Sequence, residues 1–245
     1  MSGITGKSVA IAGASSGIGA VTALHLARRG ARLVLGARRE ELLKDLVARI
    51  EDAGGEAAAV PVDVRNPADL ERLVATARER YGRLDVLFSN AGSMSVSPLD
   101  DLRAEEWDLM VDVNIKGVLN GIAAALPVFR AQTSGHFIHT ASTAAHKVVP
   151  AQAVYAATKT AVKVLTEGLR QEAGPNLRVT LISPGFTNTE GVGKGGSPEA
   201  AAALIAQRDA IAMPPDAIAR AAAFAIEQPD GVDVGEIVVR PTAQG

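Results

Sequence analysis

The sequence predicts an α/β fold, a doubly wound, mostly parallel sheet of seven strands with helices on both faces, in a single domain spanning residues 1–245. Three observations predict it. Seven short apolar runs alternate along the chain with segments of helical character. Glycine-bearing turns close the carboxyl ends of the first and fourth runs, the end of the sheet where such folds place their chemistry. Composition does not change along the 245 residues, so no linker, repeat or low-complexity tract divides the chain. The net charge of −2 and the scatter of basic residues give nucleic-acid binding no support. The absence of cysteine excludes disulfides, thiolate nucleophiles and Cys-bearing zinc sites, and it fits a cytoplasmic protein. His136 and His139 have no further ligand at metal spacing, so no metal site is expected.

The first strand is Val9-Ala-Ile-Ala12, ended by Gly13-Ala-Ser15-Ser16-Gly17-Ile18-Gly19, after which helical character continues to Gly30. Such a turn lets backbone approach a pyrophosphate and points the free N–H groups of the next helix at it, which makes Gly13, Ser15, Ser16, Gly17, Ile18 and Gly19 candidate binders. The uncharged run from Ser8 to Leu24 follows Lys7 as a secretory signal would, but these glycines and serines interrupt it. The second strand, Ala31 to Gly36, leads into Arg38 and Arg39 with no Asp or Glu at Gly36 or Ala37. Cations there suit a 2′-phosphate, whereas a carboxylate would suit a free ribose, so NADP(H) is the expected cofactor, with Arg38 the first phosphate partner and Arg39 the second. A helix from Glu40 to Ala53 stops at Gly54-Gly55, the third strand runs from Ala57 to Val62, and Pro67 starts a helix striped by Leu70, Leu73, Val74 and Ala77. The fourth strand, Leu84 to Phe88, ends in Ser89-Asn90-Ala91-Gly92.

The next helix begins near Ala104 and reaches Asn114, a residue costly to bury unless its amide finds a partner. The neutral run from Gly117 to Phe129 holds Asn120 and Pro127 and falls short of the ~20 apolar residues that a membrane span needs, so no membrane association is expected. The fifth strand carries Ser142 at its carboxyl end. Tyr155 and Lys159 follow on a helix, four residues apart and therefore on one face. A phenol ionises near pH ~10 and becomes a useful proton shuttle when a cation favours the phenolate, a role that Lys159 fits. His146 lies close to Ser142 in sequence, where it either lines a pocket or is an ordinary loop residue. The sixth strand, Leu177 to Ile182, ends in Ser183-Pro184-Gly185-Phe186-Thr187. From there to Ala212 a glycine-rich and then Ala-rich stretch has no strong period, and residues 186–212 read either as a substrate lid or as disorder. A helix from about Pro215 to Glu227 precedes the last strand, Gly235 to Arg240.

Ser142, Tyr155 and Lys159 at these spacings, downstream of the glycine turn and of Asn90-Ala91-Gly92, resemble the short-chain dehydrogenase/reductase family over nearly the whole chain. The ending from Val234 to Gln244 resembles the branch of serine dehydrogenase-like and clavulanic-acid-type reductases. The chain departs from the family at Ala12 and Ser89, where Thr and Asn are usual. The resemblance implies a Rossmann-like fold in which Asp63 and Val64 flank the adenine, Gly92 leaves room for the cofactor, and Pro184, Gly185 and Thr187 meet the nicotinamide. It implies that Asn90 supports the central strands and that Asn114 holds a water linking Lys159 to solvent; a structural amide bonded to backbone is a second reading of Asn114, compatible with the first. It further implies a homotetramer or homodimer paired through Ala156, Ala157, Ala161 and Gly168, although an Ala-rich face packed inside one subunit would look the same. The expected reaction is hydride transfer between the nicotinamide and a small or medium carbonyl or secondary alcohol, with Tyr155 as acid/base, Ser142 on the reacting oxygen, and Lys159 and Asn114 in support. The alternatives are a dinucleotide-binding sensor or scaffold without chemistry, and imine reduction or epimerisation in the same site.

Overall fold

The computed structural model describes residues 3–245. Its strands are β1 (Ser8–Ala12), β2 (Arg32–Ala37), β3 (Glu56–Pro61), β4 (Val86–Ser89), β5 (Gly135–Thr140), β6 (Leu177–Pro184) and β7 (Glu236–Val239), in the spatial order β3-β2-β1-β4-β5-β6-β7. Every pairing is parallel, so the sheet goes beyond the mostly parallel one expected. The central strands are buried on both faces, which is why they read as continuous apolar runs rather than alternating ones. The chain winds outward from β1 to β3, returns to β4 and continues the other way. This leaves a crevice at the carboxyl ends of β1 and β4.

One face of the sheet is covered by α1 (Gly17–Ala27), α2 (Glu40–Asp52) and α8 (Asp216–Glu227), whose Leu26, Leu43, Ile50, Ile218 and Ile226 pack with Val9, Ile11 and Leu35. The other is covered by α3 (Pro67–Tyr81), α5 (Gly117–Gln132) and α6 (Ala153–Ala173), whose Leu73, Val74, Phe129 and Leu169 pack with Ala10, Val34 and Phe137. Alternate residues of one strand thus serve opposite layers. Helix ends follow local chemistry. Asn66 accepts the Ala68 N–H at 3.2 Å to cap α3, and Gly82 closes it with φ of 78°. Buried Arg178 on β6 donates to the carbonyls of Ala225, Ile226 and Gln228, satisfying the carboxyl end of α8.

Two segments differ from expectation. The helix begun by α4 (Ala104–Val111) passes through a π-helical turn at Asp112–Lys116 into α5, a continuous run of 29 residues. Its most apolar stretch has a hydropathy of 1.4, so by length and composition it is long and apolar enough to cross a bilayer, longer than the neutral run alone predicts. The run also carries Glu105, Glu106, Asp108, Asp112, Lys116 and Arg130 and is packed against α3, α6, β4 and β5, as the core helix of a layered α/β protein is. The second segment, between β6 and α8, is built rather than irregular. Bridges pair Thr187 with Met213 and Val96 with Gly196, and Ser197 caps α7 (Pro198–Ile211), which buries Leu204.

Candidate active site

The crevice opens into a cleft of about 1140 Å³ lined by the turns that follow β1, β2, β4, β5 and β6. At its floor the β1–α1 turn is fixed by contacts that only glycine permits. Gly13 has φ of 89°, and a Cβ there would stand 2.5 Å from the Ala91 nitrogen; one on Gly19 would meet the Gly13 carbonyl at 2.1 Å. Asn90 locks this arrangement by donating to the Gly13 carbonyl at 3.0 Å and accepting from Thr140 Oγ1 at 3.2 Å, which ties β1, β4 and β5 together as expected. The turn and the start of α1 line the cleft with Gly13, Ser15, Ser16, Gly17 and Ile18; Gly19 is buried and is not part of the lining. A cradle this close to backbone, at a helix amino terminus, suits a pyrophosphate.

At the end of β2, Arg38 and Arg39 both line the cleft but are engaged differently. Arg39 donates to Ser15 Oγ at 3.1 Å, Ser16 Oγ at 2.6 Å and Glu190 Oε2 at 3.1 Å. Arg38 is exposed and makes no hydrogen bond or ion pair among the described residues. Asp63 and Val64 form the neighbouring wall; Arg65 grips the Asp63 carboxylate and holds its pKa below the usual value.

Ser142, Tyr155 and Lys159 converge on the same cleft. Ser142 lies two residues beyond β5, later than the strand end expected, and caps the short turn Thr143–Ala145, with its Oγ accepting from the Ala144 N–H at 3.1 Å. Tyr155 lies in the first turn of α6, and Lys159 follows one turn later, buried, its Nζ donating to the Thr140 carbonyl at 2.8 Å. Enclosure pushes the Tyr155 pKa up, against the lowering influence of a hydrogen bond with Ser142. Lowering of the phenol by Lys159 is therefore not what this chain shows. The ammonium sits 5.9 Å from the Tyr155 ring centre and spends a hydrogen bond on β5, while burial lowers its own pKa to about 8.

Asn114 does not reach the cleft. From the π-helical turn its side chain accepts from the Ser93 N–H at 2.8 Å and donates to the Ser93 carbonyl at 2.9 Å and to Thr158 Oγ1 at 3.0 Å. The amide is thus bonded to backbone, and it joins the loop after Gly92 to the helix that carries Tyr155 and Lys159. Pro184, Gly185 and Thr187 line the opposite wall, where the Thr187 hydroxyl bonds the Gly185 carbonyl. Ala91 and Gly92 lie between the two ends, and a Cβ on Gly92 would stand 3.6 Å from Lys159 Nζ.

Gln244 and Glu190 escape sequence reasoning, whereas His146 reads in the sequence either as a pocket residue or as an ordinary loop one. Gln244 accepts from the Phe186 N–H at 2.9 Å and donates to Thr143 Oγ1 at 3.1 Å, bracing the walls on either side of the cleft. His146 does line the cleft and is held by Glu236 at 3.1 Å, Ser183 at 3.2 Å and Lys163 at 3.2 Å. Glu190 meets Arg39 across 151 positions. Only His146 had a signal, its nearness to Ser142; Gln244 and Glu190 are joined to the site by contacts with no local pattern.

The cleft thus lies at the switch point of a parallel sheet, where such folds bind their ligands, with a glycine cradle at one end and Ser142, Tyr155 and Lys159 at the other. The sequence model of the family described as short chain dehydrogenase matches residues 7–199. An uncharacterized oxidoreductase of Listeria monocytogenes is 48% identical over 244 residues, covering 98% of each chain. Among solved structures, an alcohol dehydrogenase of the archaeon Thermococcus sibiricus complexed with 5-hydroxy-NADP superposes with a TM-score of 0.86 at 30% identity, covering 98% of each chain. A 3-ketoacyl-(acyl-carrier-protein) reductase of Brucella melitensis complexed with NADH gives 0.85 at 29%, covering 97% of this chain and 98% of that one. The chain belongs to the short-chain dehydrogenase family and is an oxidoreductase with a Rossmann-like fold. Its structural neighbours bind nicotinamide dinucleotides, an NADP derivative in one and NADH in the other.

Proposed function

We propose that the chain is a cytoplasmic, NADP(H)-dependent oxidoreductase that interconverts a small or medium carbonyl compound and its alcohol. The observation that carries this reading is the convergence of the glycine cradle, two arginines at the end of β2, and Ser142, Tyr155 and Lys159 in one cleft. Gly13, Ser15, Ser16, Gly17 and Ile18 would hold the pyrophosphate, Arg38 and then Arg39 the 2′-phosphate, Asp63 and Val64 the adenine, and Pro184, Gly185 and Thr187 the nicotinamide end. The nicotinamide supplies the hydride when bound. Tyr155 gives its proton to the carbonyl oxygen, and Ser142 donates a hydrogen bond to that oxygen as charge develops, help of a kind whose removal typically costs ~3 kcal/mol. Lys159 would return a proton to Tyr155 and hold the ribose hydroxyls. Asn114 acts by holding the Ser93 loop against α6.

Residues 186–212 are proposed as the substrate lid, with the ordered α7 as its body and Phe186 and Leu204 facing the cleft. The chain is proposed to assemble with itself, as a dimer or tetramer, through α5 and α6. Leu119 and Val164 are 43% and 66% exposed there, Ala157 is exposed, and Gly168 faces open space. Ala156 is buried inside the subunit and leaves that set.

Fluorescence titration with each cofactor tests the assignment without knowledge of the substrate. NADPH is expected to bind at least ~10-fold tighter than NADH, a difference of ~1.4 kcal/mol, and Arg38→Ala to remove most of that preference. Equal binding, or equal losses in the variant, would remove the 2′-phosphate role from Arg38.

A further inference from the structure

We propose that Glu190 sets how sharply the site distinguishes NADPH from NADH, by competing with the cofactor's 2′-phosphate for Arg39; this rests on the nicotinamide-dinucleotide reading above. Arg39 directs Nε and one terminal nitrogen at the two serines of the glycine turn and its other terminal nitrogen, Nη1, at Glu190. Of the two arginines at this mouth, Arg38 feels Asp63 only at longer range and has no hydrogen bond to break before it meets a phosphate, whereas Arg39 must first give up a carboxylate. A 2′-phosphate carries close to two negative charges and suits the guanidinium fork, so it can take that place. The ribose hydroxyl of NADH has no charge with which to compete, and the Arg39–Glu190 pair survives its arrival. Glu190 therefore acts against NADPH alone.

The neighbourhood supports an exchange. Lys194 Nζ lies 3.6 Å from Glu190 Oε2 and keeps the carboxylate paired when Arg39 turns away. The preceding residue, Thr189, rests against Gly17, its Cγ2 within 3.1 Å of where a Cβ would stand. Thr189 and Glu190 thus fasten the segment after β6 to both parts of the phosphate-binding mouth, so occupancy of that mouth and the position of this segment are linked. Glu190 is a positioning residue here, acting on the cofactor through Arg39.

The pair is exposed, with 46% of the Arg39 side chain and 55% of that of Glu190 accessible, so the expected effect is modest. Titrated by fluorescence at low salt, Glu190→Gln should bind NADPH about threefold tighter than the wild-type chain and NADH unchanged. The gain should vanish in ~1 M salt, where screening acts over ~3 Å, and in the Arg39→Ala background. Equal changes for both cofactors, or a gain that persists undiminished without Arg39, would overturn the competition. Binding of neither cofactor by the wild-type chain would overturn the underlying reading instead, and that result is seen before any variant is compared.

Discussion

Lys159 shows how a single residue is fitted to two demands. The roles proposed for it, serving a phenol and a ribose, require a cation, yet it is buried, and burial lowers its pKa to about 8 from an ordinary 10.5. Two consequences follow with opposite signs. Between about 8 and 10.5 the unfolded chain holds a proton that the folded chain lacks, so this residue makes stability rise with pH across that window. Cofactor binding should run the other way. Affinity of the free protein for NADPH is expected to fall as pH rises through about 8, and Lys159→Met, weaker throughout, should lose that dependence. A pH-independent affinity from 7 to ~9.5 in the wild-type chain would contradict the role given to the ammonium. The residue scale is also where the sequence was most legible. Glycines at 13 and 19 and the Tyr and Lys one turn apart are read from type and spacing because each is required by a local backbone or helical geometry, and Asn90 is read from its place after the fourth strand. The lowering of the Lys159 pKa was not legible, because it comes from burial by elements distant in sequence.

At the scale of elements, boundaries were legible where a residue enforces them and drifted where pairing sets them. Asn66 and Pro67 start α3 where expected, whereas β2 lies one position later than its apolar run because its register follows its neighbours β1 and β3. The π-helical turn at Asp112–Lys116 left no sequence signal. It turns Asn114 toward the Ser93 backbone and Thr158, and its geometry depends on those partners rather than on the residues that compose it. The segment after β6 misled for the opposite reason. Its four glycines between 190 and 197 suggest disorder, but Gly196 has φ of 90°, and a Cβ there would lie 1.9 Å from the Val96 carbonyl, so it serves a bridge between elements. Close approach and disorder use the same residue, and composition alone does not separate them.

On the scale of the molecule, the two-layer covering of a parallel sheet buries the polar residues of β5 with the apolar ones. His136 and His139 are fully enclosed, and burial lowers His139 to about 4 and His136 well below its ordinary value. The unfolded chain takes up these protons near pH 6.5, the folded chain only at lower pH, so stability should fall as pH drops from 6.5 toward 4. Thermal melts should show this slope, and it should be shallower in His139→Asn; a melting temperature flat across that window would contradict the burial account. The apolar strip on α5 and α6 makes its own prediction. Val164→Glu should reduce the particle size measured by light scattering, and a monomeric wild-type chain would remove the proposed interface. The most direct test of the whole account is Tyr155→Phe, measured against any carbonyl substrate that the wild-type enzyme reduces. Loss of the phenolic proton should lower turnover about 100-fold to 10,000-fold while NADPH affinity stays within about twofold. Turnover near the wild-type rate would contradict the central claim that Tyr155 is the acid of this site.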